Sequence, residues 1–167
     1  MANNRRDRGG RRDSGDREFD QRILDLARVT RVTAGGKRMR FRAGVILGDH
    51  KGRVGFGVAK ATDVTAAVAK ATTQAKKKMI TVALFNETIP HEVRAKFGAS
   101  VVLLKPAPAG TGIKAGGAMR VLFELAGIPN IVGKILGSKN KINNTRATLQ
   151  ALLELRPPKV KKKELVS

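Results

Sequence analysis

The stretch GRVGFGVAKATDVTAAVAKATTQAKKKM, Gly52 to Met79, reads as a strand feeding a helix, and the rest of the chain is organised around it. In the strand, Val54, Phe56 and Val58 share one face at period two. Gly55 and Gly57 leave the other face bare, so that another backbone can come close to it. In the helix, Val64, Val68, Ala71, Ala75 and Met79 recur at steps of three or four and form a narrow apolar stripe suited to lying on a sheet. Thr62, with Asp63 behind it, is the expected N-cap. Lys76, Lys77 and Lys78 stand at the other end, where the helix carries partial negative charge.

Upstream, Gln21 to Thr33 suits an extended strand, and Ala34, Gly35 and Gly36 turn the chain into KRMRFRAGVIL. There Met39, Phe41, Ala43, Val45 and Leu47 alternate with Arg38, Arg40 and Arg42, which predicts one core face and one cationic face. Three arginines in register, beside Lys37 and across a hairpin from Arg28 or Arg31, make a patch suited to phosphate. Gly48 to Gly52 then turns into the third strand, so that residues 21 to 79 read as three antiparallel strands and one helix.

Downstream, Thr81 to Leu84 begins a further strand and Asn86 to Thr88 marks a boundary. Ile89 to Lys96 and Ser100 to Lys105 read as two strands, the second uniformly apolar and therefore central. After the break PAPAGTGIKAGG, a helical face of Ala118, Met119, Val121, Leu122, Leu125 and Ala126 stops at Gly127 and Pro129. A short strand (Ile128, Ile131, Val132) and the basic loop GKILGSKNKINN lead to a last helix, with Asn143 or Asn144 as cap and Leu149, Leu152 and Leu153 on its apolar face. The expected organisation is a disordered basic arm over 1–17, an N-terminal domain over 18–85, a C-terminal α+β domain over 86–156 and a basic tail over 157–167.

Thirty-four Lys and Arg against thirteen Asp and Glu give a net charge of +21. The arm and the tail carry only +3 each. The folded parts hold the remaining +15, of which +9 lies in residues 18–85. Such self-repulsion calls for a polyanion, and nucleic acid is the default partner. Six Phe with no Tyr or Trp disfavour stacking on unpaired bases and favour recognition of backbone and shape. With no Cys, neither a disulfide framework nor a thiolate site is available. No apolar run approaches a membrane span, the N-terminus lacks a secretory hydrophobic region, and Asp7, Asp13 and Asp16 argue against a transit peptide, so a cytoplasmic location is expected. The basic residues are spread over strands instead of lining one amphipathic helix, which speaks against a membrane surface.

Catalytic patterns fare poorly. Gly110, Gly112 and Ala115 fit G-x-G-x-x-G/A, but Pro106 and Pro108 lengthen the turn and no acid follows about 20 residues on. A phosphate loop over Gly127 to Lys134 fails on spacing, with Ile135 where Ser or Thr should be. His50 and His91 read as surface histidines. No enzyme activity, cofactor, metal or small-molecule substrate is expected. What survives near Gly110 is a glycine-rich turn before a helix, which can present backbone N–H groups to an anion or a neighbouring protein.

The stretches GRVGFGVAKA (52–61), GTGIKAGGAMRVLFELAGI (110–128) and INNTRATLQAL (142–152) resemble the bacterial small-subunit ribosomal protein S-five (S5) family over essentially the whole chain beyond the arm. The resemblance implies an N-terminal domain like a double-stranded-RNA-binding domain without its first helix, and a C-terminal α+β domain with a left-handed βαβ crossover. It further implies binding to small-subunit ribosomal RNA, contact with ribosomal proteins S-four and S-eight, a place beside messenger RNA where it enters the subunit, and influence on decoding accuracy. In the family the hairpin matching Val32 to Phe41 reaches RNA of the head and neck, and here Gly35, Gly36, Lys37 and Arg38 occupy it. The accuracy-linked surface facing S-four maps to Gly112 and Arg120, with Gly110 beside them.

The candidate RNA-contacting set therefore comprises the hairpin residues Arg28, Arg31, Gly35, Gly36, Lys37, Arg38, Arg40 and Arg42. Around the third strand it adds Lys51, Arg53, Gly55, Gly57 and Lys60. In the second half it adds Lys114, Lys134, Lys139 and Lys141. The competing class is a freestanding, non-specific RNA or DNA chaperone, which would discriminate little among RNAs.

Overall fold

The computed structural model describes residues 19–157; the arm expected over 1–17 and the tail beyond Pro157 lie outside the described residues. The elements are β1 (Asp20–Thr33), β2 (Gly36–Gly48), β3 (Arg53–Ala61), α1 (Val64–Lys77), β4 (Ile80–Thr81), β5 (Val93–Phe97), β6 (Ser100–Pro106), β7 (Ile113–Lys114), α2 (Gly117–Ala126), β8 (Ile131–Ile135) and α3 (Lys141–Leu153). They form an α+β fold with two sheets, β1-β2-β3-β4 and β5-β6-β8-β7. The first is antiparallel; the two-residue β4 extends the three expected strands at the edge of β3. The second is mixed, because β7 and β8 run parallel and are joined through α2 in a βαβ unit.

Period-two alternation sends β2 and β3 into two different cores. Ala43 and Val45 join Ala61, Ala67 and Ala71 beneath α1, whereas Ile46, Val54 and Phe56 face the opposite way and pack with Leu104, Leu122, Phe123 and Leu152. The layers therefore run α1, first sheet, α2 with α3, second sheet. The bare side of Gly55 and Gly57 is where α1 lies. A Cβ at Gly57 would overlap the Ala71 carbonyl, and one at Gly55 would lie 2.5 Å from the Ala75 carbonyl. The backbone that approaches these glycines belongs to the following helix, so both are withdrawn from the RNA-contacting set.

Several local expectations shift by a few residues. Asp63, not Thr62, caps α1, accepting from the Thr65 amide and hydroxyl. The stripe buried against the glycines is Ala67, Ala71 and Ala75. Asn140, not Asn143 or Asn144, caps α3, accepting from the Ile142 and Asn143 amides, while Asn144 is buried and donates to the Ser138 carbonyl. Leu153 is 61% exposed instead of core. In α2 the largest fully buried side chain is Phe123, which the spacing reading passed over.

The two halves are joined where the turn between β2 and β3 meets the C-terminus of α2. The His50 and Gly52 amides donate to the Leu125 and Ala126 carbonyls at 3.0 and 2.9 Å, satisfying acceptors that a helix end leaves open. Contact is close enough that a Cβ on Gly48 would overlap the Leu125 carbonyl, and one on Gly127, at φ 72°, the His50 carbonyl. His50 is exposed, but its ring bridges the Glu124 carbonyl at 2.9 Å and the Asp20 carboxylate at 3.0 Å. It is a joint between three elements, not an idle surface histidine.

Candidate nucleic-acid interface

Strands β1 and β2 pair along their whole length, from Asp20 with Gly48 to Thr33 with Gly36. The pairing of β2 with β3 stops at Phe41 with Ala61. Beyond that point the hairpin is a two-stranded ribbon whose residues 30–40 are all exposed, reaching about 17 Å past the body at ~3.4 Å per residue. Met39, expected in the core, is 49% exposed because nothing backs the ribbon there. At its tip Gly36 has φ 129° and a Cβ on Gly35 or Gly36 would meet nothing, so this end of the turn stands in open space.

Register sorts the cations by face. Arg31 pairs with Arg38, and Arg42 with Lys60, so Arg31, Arg38, Arg40, Arg42 and Lys60 share one side. That side is the one Ile46 takes toward the second half. Arg28 pairs with Phe41 and Lys37 with Val32, placing both on the opposite side with Met39. The alternatives Arg28 and Arg31 are thereby separated: only Arg31 joins the three arginines.

The root of the cationic side is braced. A bulge between Ile23 and Asp25 re-aims the strand, and the Asp25 carboxylate accepts from Arg42 Nη2 at 3.1 Å and lies 3.8 Å from Lys141 Nζ. Lys141, the first residue of α3, thereby stands at the foot of the hairpin with Lys139 two residues away. Asp25 was missed by the sequence reading; a single acid inside a basic strand was the signal available.

The remaining candidates lie elsewhere. Lys51 and Arg53 sit at the far end of the first sheet, about 40 Å along β2 from Gly36. Arg53 donates from Nε to Asp49 at 2.6 Å and its guanidinium lies 5.2 Å over the Phe19 ring, so it braces the turn while its side chain stays 43% exposed. Asp49 is buried, which would raise its pKa. The Arg53 side chain, the Lys51 and Arg53 amides and the Arg53 charge outweigh that and hold it below the usual carboxylate value. Lys114 and Lys134 are exposed on the second sheet.

Gly110 and Gly112 adopt φ 84° and 71° with open space around them. The Asn130 side chain accepts from the Gly112 amide at 3.1 Å, and the Ile131 amide donates to the Gly112 carbonyl at 3.2 Å, tying the loop to β8. Strand β7 separates both glycines from α2, which begins at Gly117, so the loop lacks the strand-to-helix turn that dinucleotide binding requires. Arg120 projects from α2, 59% exposed, with Nε 3.5 Å from Glu124. The other Glu124 oxygen accepts from Arg22 at 3.2 Å. The Arg120/Glu124 spacing of four on one helix was legible in the sequence; the Arg22 partner was not. Among the described residues no group of three His, Asp or Glu could hold a metal ion.

The family model described as "Ribosomal protein S5, N-terminal domain" matches residues 19–83, and that described as "Ribosomal protein S5, C-terminal domain" matches residues 95–165. Over 140 residues the chain is 49% identical to the small ribosomal subunit protein uS5c of Emiliania huxleyi, an alignment that covers 83% of this chain and 88% of that protein.

Proposed function

Because the chain belongs to the ribosomal protein S5 family, a structural constituent of the small ribosomal subunit with ribosomal RNA and other ribosomal proteins as partners, we propose that it grips ribosomal RNA through the cationic side of its hairpin and presents its second half to neighbouring proteins. The observation that carries this reading is the register that gathers Arg31, Arg38, Arg40, Arg42 and Lys60 on one side of a projecting ribbon. A two-stranded ribbon is marginal in isolation, and its cations gain most when phosphates surround them.

In this reading the chain divides into an RNA-binding N-terminal domain over 18–85 and an interface domain over 86–156. Gly110, Gly112 and Arg120 meet S-four, S-eight is a second neighbour, and messenger RNA passes close by where it enters the subunit. The close docking of the β2–β3 turn on α2 supports a mechanical role, in which strain at the Arg120 surface reaches the RNA hairpin and influences subunit assembly and decoding accuracy. No catalytic step belongs to this reading, and the compartment proposed is the cytoplasm, which fractionation would test.

The experiment is affinity for folded small-subunit ribosomal RNA against a length-matched unrelated structured RNA across a salt series. A preference that persists at high salt is expected. Equal affinities, also with S-four present, would favour the non-specific chaperone.

A further inference from the structure

The inner face of the second sheet carries α2 and α3, and the first sheet packs on the far side of those helices. Among the described residues no helix or strand packs on its outer face. Register arranges the outward side chains in rows. Lys134, Leu103 and Arg94 pair across β8, β6 and β5. Lys114, Val132 and Lys105 pair across β7, β8 and β6, and Val101 pairs with Lys96. In the two full rows an aliphatic residue is flanked by a cation on either side. All five cations are exposed, whereas the three aliphatic residues are half-buried.

The spacing follows from sheet geometry. Cations flanking one row stand two strands apart, roughly 10 Å, and successive rows are two residues apart, roughly 7 Å. Glu92 pairs with Lys105 at 3.3 Å and, with Glu154, lines an open pocket beside Arg94, whereas among the described residues no salt bridge engages Arg94, Lys96, Lys114 or Lys134. Like charges at this density repel, and a polyanion lying across them relieves the repulsion. The three aliphatic residues are too few and too shielded to anchor a protein by hydrophobic burial. No aromatic side chain is present among these outward residues to stack an unpaired base.

We propose that this outer sheet face is a second RNA-contacting surface, separate from the hairpin, which holds the sugar–phosphate backbone of a double-helical RNA segment. It rests on the reading of the chain as a ribosomal RNA binder and adds Arg94, Lys96 and Lys105 to Lys114 and Lys134. Two basic surfaces at different places on halves that share one packed core let the protein bridge two RNA segments.

The test compares the full-length chain, a sheet variant (Arg94→Gln, Lys96→Gln, Lys114→Gln, Lys134→Gln) and a hairpin variant (Arg31→Gln, Arg38→Gln, Arg40→Gln) on folded small-subunit ribosomal RNA. Salt dependence and hydroxyl-radical footprints are read, with circular dichroism to verify folding. The sheet variant is expected to fold normally, to bind with a salt slope shallower by roughly 4, and to lose one set of backbone protections while keeping those that the hairpin variant loses. Arginine at the three lysine positions, with Arg94 kept, should restore them. A sheet variant with unaltered slope and footprint, beside a weakened hairpin variant, overturns the proposal. So does an unaltered RNA footprint combined with loss of an acidic protein neighbour from reconstituted subunits, which would assign the face to protein. Failure of the underlying ribosomal reading shows separately, in the unsubstituted chain, as equal affinity for ribosomal and unrelated RNA.

Discussion

The His50 amide donates to the Leu125 carbonyl at 3.0 Å, and through that bond the turn between β2 and β3 closes the end of the helix that carries Arg120. The same junction leaves no room for a side chain on Gly48. Displacement of one half would thus break bonds that terminate a helix in the other.

Gly48→Ala is accordingly expected to destabilise the whole protein by roughly 3 kcal/mol, the upper range for overpacking. With no Trp or Tyr to report, urea unfolding is followed by circular dichroism and hydrogen exchange. Simultaneous loss of protection in β2 and α2 is expected; independent melting of the two halves would show that the junction does not couple them.

Hairpin arginines should act on RNA and not on folding. Arg38→Gln and Arg40→Gln together leave thermal stability within about 0.5 kcal/mol, since both side chains stand on an unbacked ribbon. The salt slope for ribosomal RNA should drop by about 1 per substitution. Arg28→Gln, on the opposite side, is expected to leave the footprint of the arginine side in place.

For Asp25, magnitudes separate its two partners. Arg42 approaches at 3.1 Å with its side chain 35% exposed, whereas Lys141 lies 3.8 Å away and is 61% exposed. Double-mutant cycles should give about 1 kcal/mol for Asp25 with Arg42 and no more than about 0.3 kcal/mol for Asp25 with Lys141. A larger coupling to Lys141 would place the main brace on α3 instead.

Asp49 sets an acid limit. Its folded pKa lies below the unfolded value of 3.8, so its contribution is complete above the unfolded value and is lost as pH falls through the folded one. Thermal unfolding between pH 2 and pH 6 should steepen downward below about pH 4 in the natural chain. Asp49→Asn should be less stable at pH 6 by about 2 kcal/mol and flatter in acid. An identical acid profile in the variant would assign the loss to other carboxyls.

Arg120→Ala removes only an exposed pair with Glu124, worth about 0.3 kcal/mol, so stability is expected to hold. Binding to S-four and misreading in reconstituted subunits are expected to change. If neither responds, the interface role of Arg120 is wrong.

Spacing along the chain was enough to place the elements. Alternation in Val54–Val58 and in Met39–Leu47, and steps of three and four in the helices, follow from backbone geometry that every residue shares, so the three N-terminal strands and the three helices were legible before any contact was known, whereas β7 lies inside the stretch read as a break and takes its strand pairing from β8. The basic hairpin was legible for the same reason, since three arginines at period two must lie on one side. Caps were misplaced by one to four residues, because several neighbouring Thr, Asp and Asn side chains compete for the same free amides.

Contacts between residues distant in sequence decided what each face is for. Alternation reveals that Gly55 and Gly57 are bare but not that α1 comes back to cover them. It shows that Arg38 and Met39 point apart but not that the ribbon outruns its support at Phe41. Whether Arg28 or Arg31 joins the arginines depends on the register that runs unbroken from the turn, where Thr33 pairs with Gly36, and pairing register is a property of two strands together. Charge counts locate +21 on the chain, but burial and pairing commit Arg53 to Asp49 and Arg42 to Asp25 while leaving Arg38 and Arg40 on an open ribbon. Local geometry thus sets where strands and helices form, whereas which surface meets RNA is set by packing, because only packing determines which cations are already neutralised and which faces are already covered.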